Sequence, residues 1–180
     1  MKIRNGFVSN SSSSSFVVAF PHKPETIEEL KEMMFGKQEF HYISIYGEKG
    51  QTDYPTQVIA EAVFNTIEER ATEEQVIESI ENGHFDAYID HRICPGRYDN
   101  WDKITKLNYK EHKEEMEKLW KEEEEINHER ATKIAITFIA HNKGKYIVVL
   151  EYGDEGGGFE AILEHTDIFN RLQHIRTSYH

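Results

Sequence analysis

Five consecutive serines near the N-terminus, placed between two apolar segments, constrain the fold more than any other part of the chain. Residues 6–20 have the sequence GFVSNSSSSSFVVAF, in which residues 16–20 carry no polar side chain. A short apolar run with β-branched and aromatic residues is typical of a strand that is buried on both faces. Serine hydroxyls are small and hydrogen-bond readily to neighbouring polar groups. We therefore predict that the serines are ordered beside a sheet, with contact to a ligand as the alternative.

Two helix starts are predicted from capping boxes, in which a hydroxyl and a longer side chain satisfy backbone N–H groups at the N-terminus of a helix. The pairs with this spacing are Thr26 with Glu29, and Thr72 with Gln75. We expect the first helix to end at Gly36, because glycine is favoured directly after a helix. The other elements predicted in this part of the chain are a strand at 40–46, a polar loop at 47–55, a helix at 56–70 and a strand at 85–89.

A long, highly charged helix is predicted at about residues 102–130, with only a thin apolar stripe. Four consecutive glutamates lie near its C-terminal end, where the helix dipole disfavours negative charge. This cost favours either a solvated face or an acidic patch that a partner uses. The candidate partner-binding residues are Glu114, Glu115, Glu122, Glu123, Glu124 and Glu125.

The C-terminal third of the chain contains two apolar segments, at residues 132–140 and 145–152. The sequence HNKG between them favours a hairpin, and their composition favours the middle of a mixed or antiparallel sheet. A helix is predicted at 159–172, after a glycine-rich loop, and an extended segment at 173–180. Together these elements predict a single α+β domain over residues 1–180, with a C-terminal hairpin, packed helices and one long acidic helix.

The charge of the chain bears on the class of partner. The 33 acidic residues outnumber the 21 lysines and arginines, which gives a net charge of −12. Such a chain repels the phosphate backbone of nucleic acids, so we expect no direct nucleic-acid binding. It suits a basic protein as partner, while simple solubility is the alternative interpretation. Cys94 is the only cysteine, and no apolar segment is long enough for a membrane span or secretion signal, so we expect a cytoplasmic protein with no membrane partner.

Two small-molecule sites are alternatives to the acidic surface. Imidazole and carboxylate side chains in the C-terminal part would bind a divalent metal if they converge; these are Glu164, His165, Asp167, His174 and His180. The serine tract and a nearby cation would bind a phosphate or nucleotide; these are Arg4, Ser11, Ser12 and Ser13. No catalytic residue and no resident cofactor follow from the residues, which favour a protein without enzymatic activity.

The two ends of the chain carry a resemblance to known proteins. Residues 1–16, MKIRNGFVSNSSSSSF, resemble an N-terminal signature of small bacteriophage and mobile-element proteins, and residues 163–169, 174–176 and 180 are similar to chain ends in that set. The resemblance implies a phage or mobile-element origin, where small acidic proteins often inhibit host defence, including CRISPR nucleases. It assigns no residue a role. The resulting hypothesis is an interaction protein that inhibits a host nucleic-acid-handling or defence protein through its acidic surface.

Overall fold

The computed structural model describes residues 13–44, 51–82, 101–104, 106–108, 110–153, 163 and 167–179. The strands are β1 (Ser13–Phe20), β2 (Phe40–Ser44), β3 (Gln51–Pro55), β4 (Tyr146–Gly153) and β5 (Gln173–Tyr179). The helices are α1 (Ile27–Phe35), α2 (Thr56–Thr66), α3 (Glu73–Asn82), α4 (Trp101–Ile104) and α5 (Lys113–His141). Helices and antiparallel sheets in one chain confirm the predicted α+β class.

The strand that begins within the serine tract is the centre of the main sheet. This sheet has the order β4-β1-β5, and β1 pairs with both neighbours in antiparallel orientation. Val17 lies opposite Val149 on one side and Ile175 on the other. The apolar run at 16–20 is buried because both edges of β1 are paired and both faces are covered. The predicted buried strand is confirmed, and the extended segment at the C-terminus forms one of its partners.

Alternation along β1 divides the apolar interior into two layers. Phe16, Val18 and Phe20 face α1 and α2, and the buried residues of this layer form one continuous cluster. Val17 and Ala19 face the opposite way, toward α3 and the C-terminal half of α5. Successive side chains of a strand point to opposite faces, so helices on both sides are needed to bury the whole run.

Local capping places α1 and α3 as predicted. The Thr26 hydroxyl accepts a hydrogen bond from the backbone N–H of Glu29 at 3.2 Å. At the start of α3 the box is reciprocal, with the N–H of Thr72 donating to the Gln75 side chain at 2.8 Å and the N–H of Gln75 donating to the Thr72 hydroxyl at 3.2 Å. Each helix start therefore depends on contacts only three residues apart.

The predicted C-terminal hairpin is wrong. Residues 132–140 lie within α5, and β4 pairs with β1 rather than with that segment. Ala131, Ile134 and Ala135 are buried and follow helical spacing, and Phe138 packs against the same cluster. The β-branched composition of the segment favours a strand locally, but the helix buries one of its faces against the sheet.

Two further boundaries differ from the sequence prediction. The helix predicted at 102–130 begins at Lys113 and continues to His141, after the separate short helix α4. The predicted loop at 47–55 contains β3, which pairs with β2 in a two-stranded sheet. The strand predicted at 85–89 lies outside the described residues, as do residues 159–162 and 164–166 of the helix predicted at 159–172. That prediction is wrong for residues 168–172, which form turns and a bend that lead into β5. A single domain over 1–180 stays a prediction.

Candidate interaction surface on helix α5

Helix α5 consists of two parts with different surroundings. None of the ten residues from 113 to 122 is buried, whereas the C-terminal half contains the buried residues that pack on α3 and the main sheet. Met116 and Leu119, on the core-facing side of the first part, are only half-buried. The N-terminal part of α5 therefore extends beyond the packed interior and exposes most of its circumference.

The four consecutive glutamates do not share one surface. Glu123 is fully buried, while Glu124 and Glu125 are exposed and Glu122 is half-buried. An α-helix turns about 100° per residue, so Glu123 falls on the same side as Met116 and the buried residues farther along α5. This corrects the expectation that the whole cluster forms an acidic patch. Glu123 belongs to the interior, and Glu124 and Glu125 belong to the surface.

We define the acidic segment as residues 111–129, which contain nine glutamates and three lysines. Lys113 lies 3.5 Å from Glu117, and Lys118 lies 3.7 Å from Glu122, each one helical turn apart. These pairs are well exposed and stabilise the helix only slightly. They also neutralise two of the carboxylates, so that most of the net charge comes from the others.

Three candidate residues have no cationic partner within the described part of the chain: Glu114, Glu124 and Glu125. Glu114 and Glu125 are separated by eleven residues, or about three helical turns, and therefore lie on the same side about 16 Å apart along the axis. Glu115, the other exposed candidate, lies 3.6 Å from the His112 ring. The outer side of α5 thus exposes carboxylates near both ends of the acidic segment, while Lys118 and Lys121 lie on the same side between them.

An aromatic residue lies in the middle of the acidic segment. Trp120 is partly exposed and is followed one turn later by Glu124. Large aromatic side chains surrounded by polar groups dominate the binding energy of many protein interfaces. The sequence pattern places Trp120 in the thin apolar stripe of the helix, but the pattern alone does not show which side of the helix leaves the core.

The residues proposed for a metal site are placed only in part. His174 is half-buried on β5, where its Nδ1 atom lies 3.1 Å from the carbonyl oxygen of Leu172 and its ring lies beside Phe169. Asp167 is exposed. Glu164, His165 and His180 lie outside the described residues, among which no group of three or more potential ligands is close enough to hold a metal ion.

The residues proposed for a phosphate site lie mostly beyond the described part of the chain: Arg4, Ser11, Ser12 and the side chain of Ser13. The next two serines are fully buried in β1. The Ser15 hydroxyl lies 2.6 Å from that of Ser79 on α3, and Arg176 donates to the Ser14 hydroxyl at 3.5 Å. The predicted order and packing of the serines is confirmed for these two positions, since Ser15 contacts helix α3 and Ser14 contacts the neighbouring strand β5.

No protein-family model matches the chain, and no curated protein or solved structure is significantly similar to it. Among the described residues, no helix has both the length and the apolar character that crossing a membrane requires. The function must therefore be argued from the chemistry of the described surfaces.

Proposed function

We propose that this protein is a non-enzymatic interaction protein whose acidic segment binds a basic surface on a host nucleic-acid-handling or defence protein. One observation carries the proposal: residues 113–122 of α5 contain no buried side chain, although the helix is continuous with a half that packs firmly on the core. A helix held at one end and solvated at the other is suited to contact another molecule.

The charge pattern favours a basic partner. Nine glutamates against three lysines give the acidic segment about half of the net charge of −12. Opposite charge on a partner would accelerate association, and the rate would fall as salt screens the attraction. Surfaces that bind nucleic acids are rich in lysine and arginine, so the exposed carboxylates of the acidic segment would compete with phosphates for them.

The exposed tryptophan supports a specific contact rather than a purely electrostatic one. Trp120 adds apolar area between charged groups, and the half-buried Met116 lies one turn away on the same side. Charged rims steer association, while buried aromatic anchors supply much of the binding energy. The resemblance of residues 1–16 to phage and mobile-element proteins supports a host defence protein, such as a CRISPR nuclease, as the class of target.

The proposal is tested with two matched charge variants. In the first, four exposed glutamates of α5 become glutamine: Glu114, Glu115, Glu124 and Glu125. In the second, the same change is made at four exposed glutamates elsewhere: Glu32, Glu61, Glu68 and Glu69. Both variants lose four negative charges. A difference in their partner binding therefore reflects the position of the contact and not the net charge of the protein.

Affinity capture from a bacterial lysate and mass spectrometry supply the partner for binding measurements with purified proteins. We expect the α5 variant to slow association by about tenfold or more at low salt, and the control variant to have a much smaller effect. We also expect the wild-type protein to displace nucleic acid from the partner. Equal binding by both variants would remove α5 from the interface, and undisturbed nucleic-acid binding would contradict the proposed inhibition.

A further inference from the structure

The outer edge of β2 has hydrogen-bonding groups that no described strand uses. The backbone N–H of Thr56 donates to the carbonyl of Glu39 at 2.9 Å, which shows that Phe40 and Pro55 form a non-hydrogen-bonded pair of the antiparallel ladder. Hydrogen-bonded and non-hydrogen-bonded pairs alternate along the ladder, so the pairs Tyr42–Asp53 and Ser44–Gln51 are also non-hydrogen-bonded. As a result, Tyr42 points its N–H and C=O groups away from β3, and Ser44 points its N–H group the same way. Within the described residues, the sheet of β2 and β3 has no third strand.

The opposite edge of this small sheet is less suitable for pairing. Pro55, the last residue of β3, has no N–H group, and α2 begins at the next residue. On β2, the side-chain amide of Gln38 donates to the carbonyl of Phe40 at 2.6 Å. The available part of the edge therefore runs from Tyr42 toward Ser44.

The solvent-facing side of β2 carries an aromatic surface next to a carboxylate. Phe40 is 53% exposed and Tyr42 is 47% exposed, and residues two apart share one side of a strand. Asp53 lies directly opposite Tyr42 in the register and is also exposed. On the other side of the strand, His41 lies against Phe35 and anchors the sheet.

The aromatic and acidic side chains of this surface favour a partner that contains arginine. A guanidinium group stacks on an aromatic ring and forms charge-assisted hydrogen bonds to a carboxylate, and Tyr42 and Asp53 offer both from neighbouring positions. A second copy of the chain would instead bring another net charge of −12 against the same edge. Charge complementarity therefore favours a basic segment over self-association.

We propose that the outer edge of β2 binds an extended, arginine-containing segment of a partner protein as an added strand, with an arginine side chain against Tyr42 and Asp53. Main-chain hydrogen bonds of this added strand would supply affinity, and alternate side chains would supply specificity. This interaction goes beyond the proposed role of α5, because it uses a different surface and does not require the acidic segment.

The probe is a blocked hexapeptide of alternating arginine and valine, and the same peptide with glutamate in place of arginine is its control. Binding is followed through the amide resonances of the isotope-labelled full chain. We expect shifts centred on β2 with the arginine peptide and none with the glutamate peptide. Equal shifts with both peptides, or no shift at millimolar peptide, would overturn the proposal.

Two substitutions at Ser44 test the backbone contact. Ser44→Pro removes the outward N–H group, and an edge strand tolerates proline at such a position, whereas Ser44→Ala keeps the N–H group. We expect at least a tenfold loss of peptide affinity for Ser44→Pro and less than a twofold change for Ser44→Ala. Equal affinity of the two variants would exclude strand addition.

Asp53→Asn tests the arginine contact with a change that leaves the strand intact, and it keeps the proposal testable if Ser44→Pro does not fold. We expect this substitution to lower the affinity for the arginine peptide about threefold to tenfold and to reduce the salt dependence of binding. Unchanged affinity would remove Asp53 from the site. Sedimentation velocity completes the test, since a dimer that Ser44→Pro abolishes, without peptide binding, would assign the edge to self-association.

Discussion

The hydroxyl oxygens of Ser15 and Ser79 lie 2.6 Å apart in the interior, where they join the central strand β1 to helix α3. The same helix residue also accepts a hydrogen bond at its backbone carbonyl from the Thr177 hydroxyl at 3.2 Å. A serine of the tract is thus part of a buried polar contact that links the middle strand, one edge strand and a helix. Its role at this position is structural.

Removal of one hydroxyl from this pair should destabilise the fold more than removal of both. Ser15→Ala leaves the buried Ser79 hydroxyl without its partner, which costs about 1–3 kcal/mol, whereas the double alanine variant removes both polar groups. Urea unfolding of the two single variants and the double variant measures the coupling. Strictly additive losses would show that the two hydroxyls do not stabilise each other.

Gly36 should resist substitution for two separate reasons. Its φ is 60°, and an added Cβ would overlap the guanidinium of Arg171, which donates to the Phe35 carbonyl at 3.1 Å. We expect Gly36→Ala to lower the free energy of unfolding by about 1–3 kcal/mol or more. Gly144→Ala is the matched control, because φ there is 87° but no atom lies within 4 Å of the added Cβ.

The Gly144→Ala control separates the cost of the positive φ from the cost of displacing Arg171. If Gly36→Ala and Gly144→Ala cost the same in chemical unfolding, backbone conformation alone explains the loss. We expect the loss at Gly36 to be only slightly greater, because the flexible Arg171 side chain can move aside and give up its hydrogen bond to the Phe35 carbonyl, and we expect Arg171→Ala to remove this difference in the Gly36→Ala background.

Neighbouring glutamates on α5 should respond differently to the same change. Glu123→Lys places a longer, oppositely charged side chain at a fully buried position and should cost about 3 kcal/mol or more. Glu124→Lys changes an exposed position and should leave the melting temperature nearly unchanged. A comparable loss in both variants would contradict the inward orientation of Glu123.

The exposure of two isoleucines shows that residues 132–140 form a helix and not the strand that their composition predicts. Ile134 is 6% exposed and Ile136 is 50% exposed, although both would share one face of a strand. Ile134→Ala should cost about 2–5 kcal/mol, while Ile136→Ala should have little effect. Thermal or urea unfolding of the two variants makes the comparison, and similar losses would argue against the helical arrangement.

His41 should make stability depend on pH in the weakly acidic range. Burial lowers the pKa of His41 below its usual 6.5, and the charge of Asp167 opposes this by raising it. The unfolded chain therefore binds the proton more readily, so this contribution is complete above pH 6.5 and is lost as the pH falls toward the lower pKa of the folded state. Melting curves between pH 5 and pH 8 should show a smaller acid-induced decrease for His41→Gln. Parallel curves for the two proteins would contradict the assignment.

Several elements could be predicted because their causes are local. The Thr26 and Thr72 hydroxyls cap helices through residues three positions away, and the apolar run at 16–20 requires burial on both faces. These features depend on near neighbours in sequence and on simple alternation, so the sequence by itself determined them. It also determined the acidic character of α5, but not which glutamates reach solvent.

The tertiary structure decided the rest. Residues 132–140 have strand-like composition, yet β5 occupies one edge of β1 and β4 the other, so the remaining apolar face is buried best by a helix across the sheet. That arrangement extends α5 to His141 and turns Glu123 inward, while Glu124 and Glu125 stay exposed. It also pairs Ser15 with a residue 64 positions away. Contacts of this separation depend on which elements share a core, and no local preference of the chain encodes them.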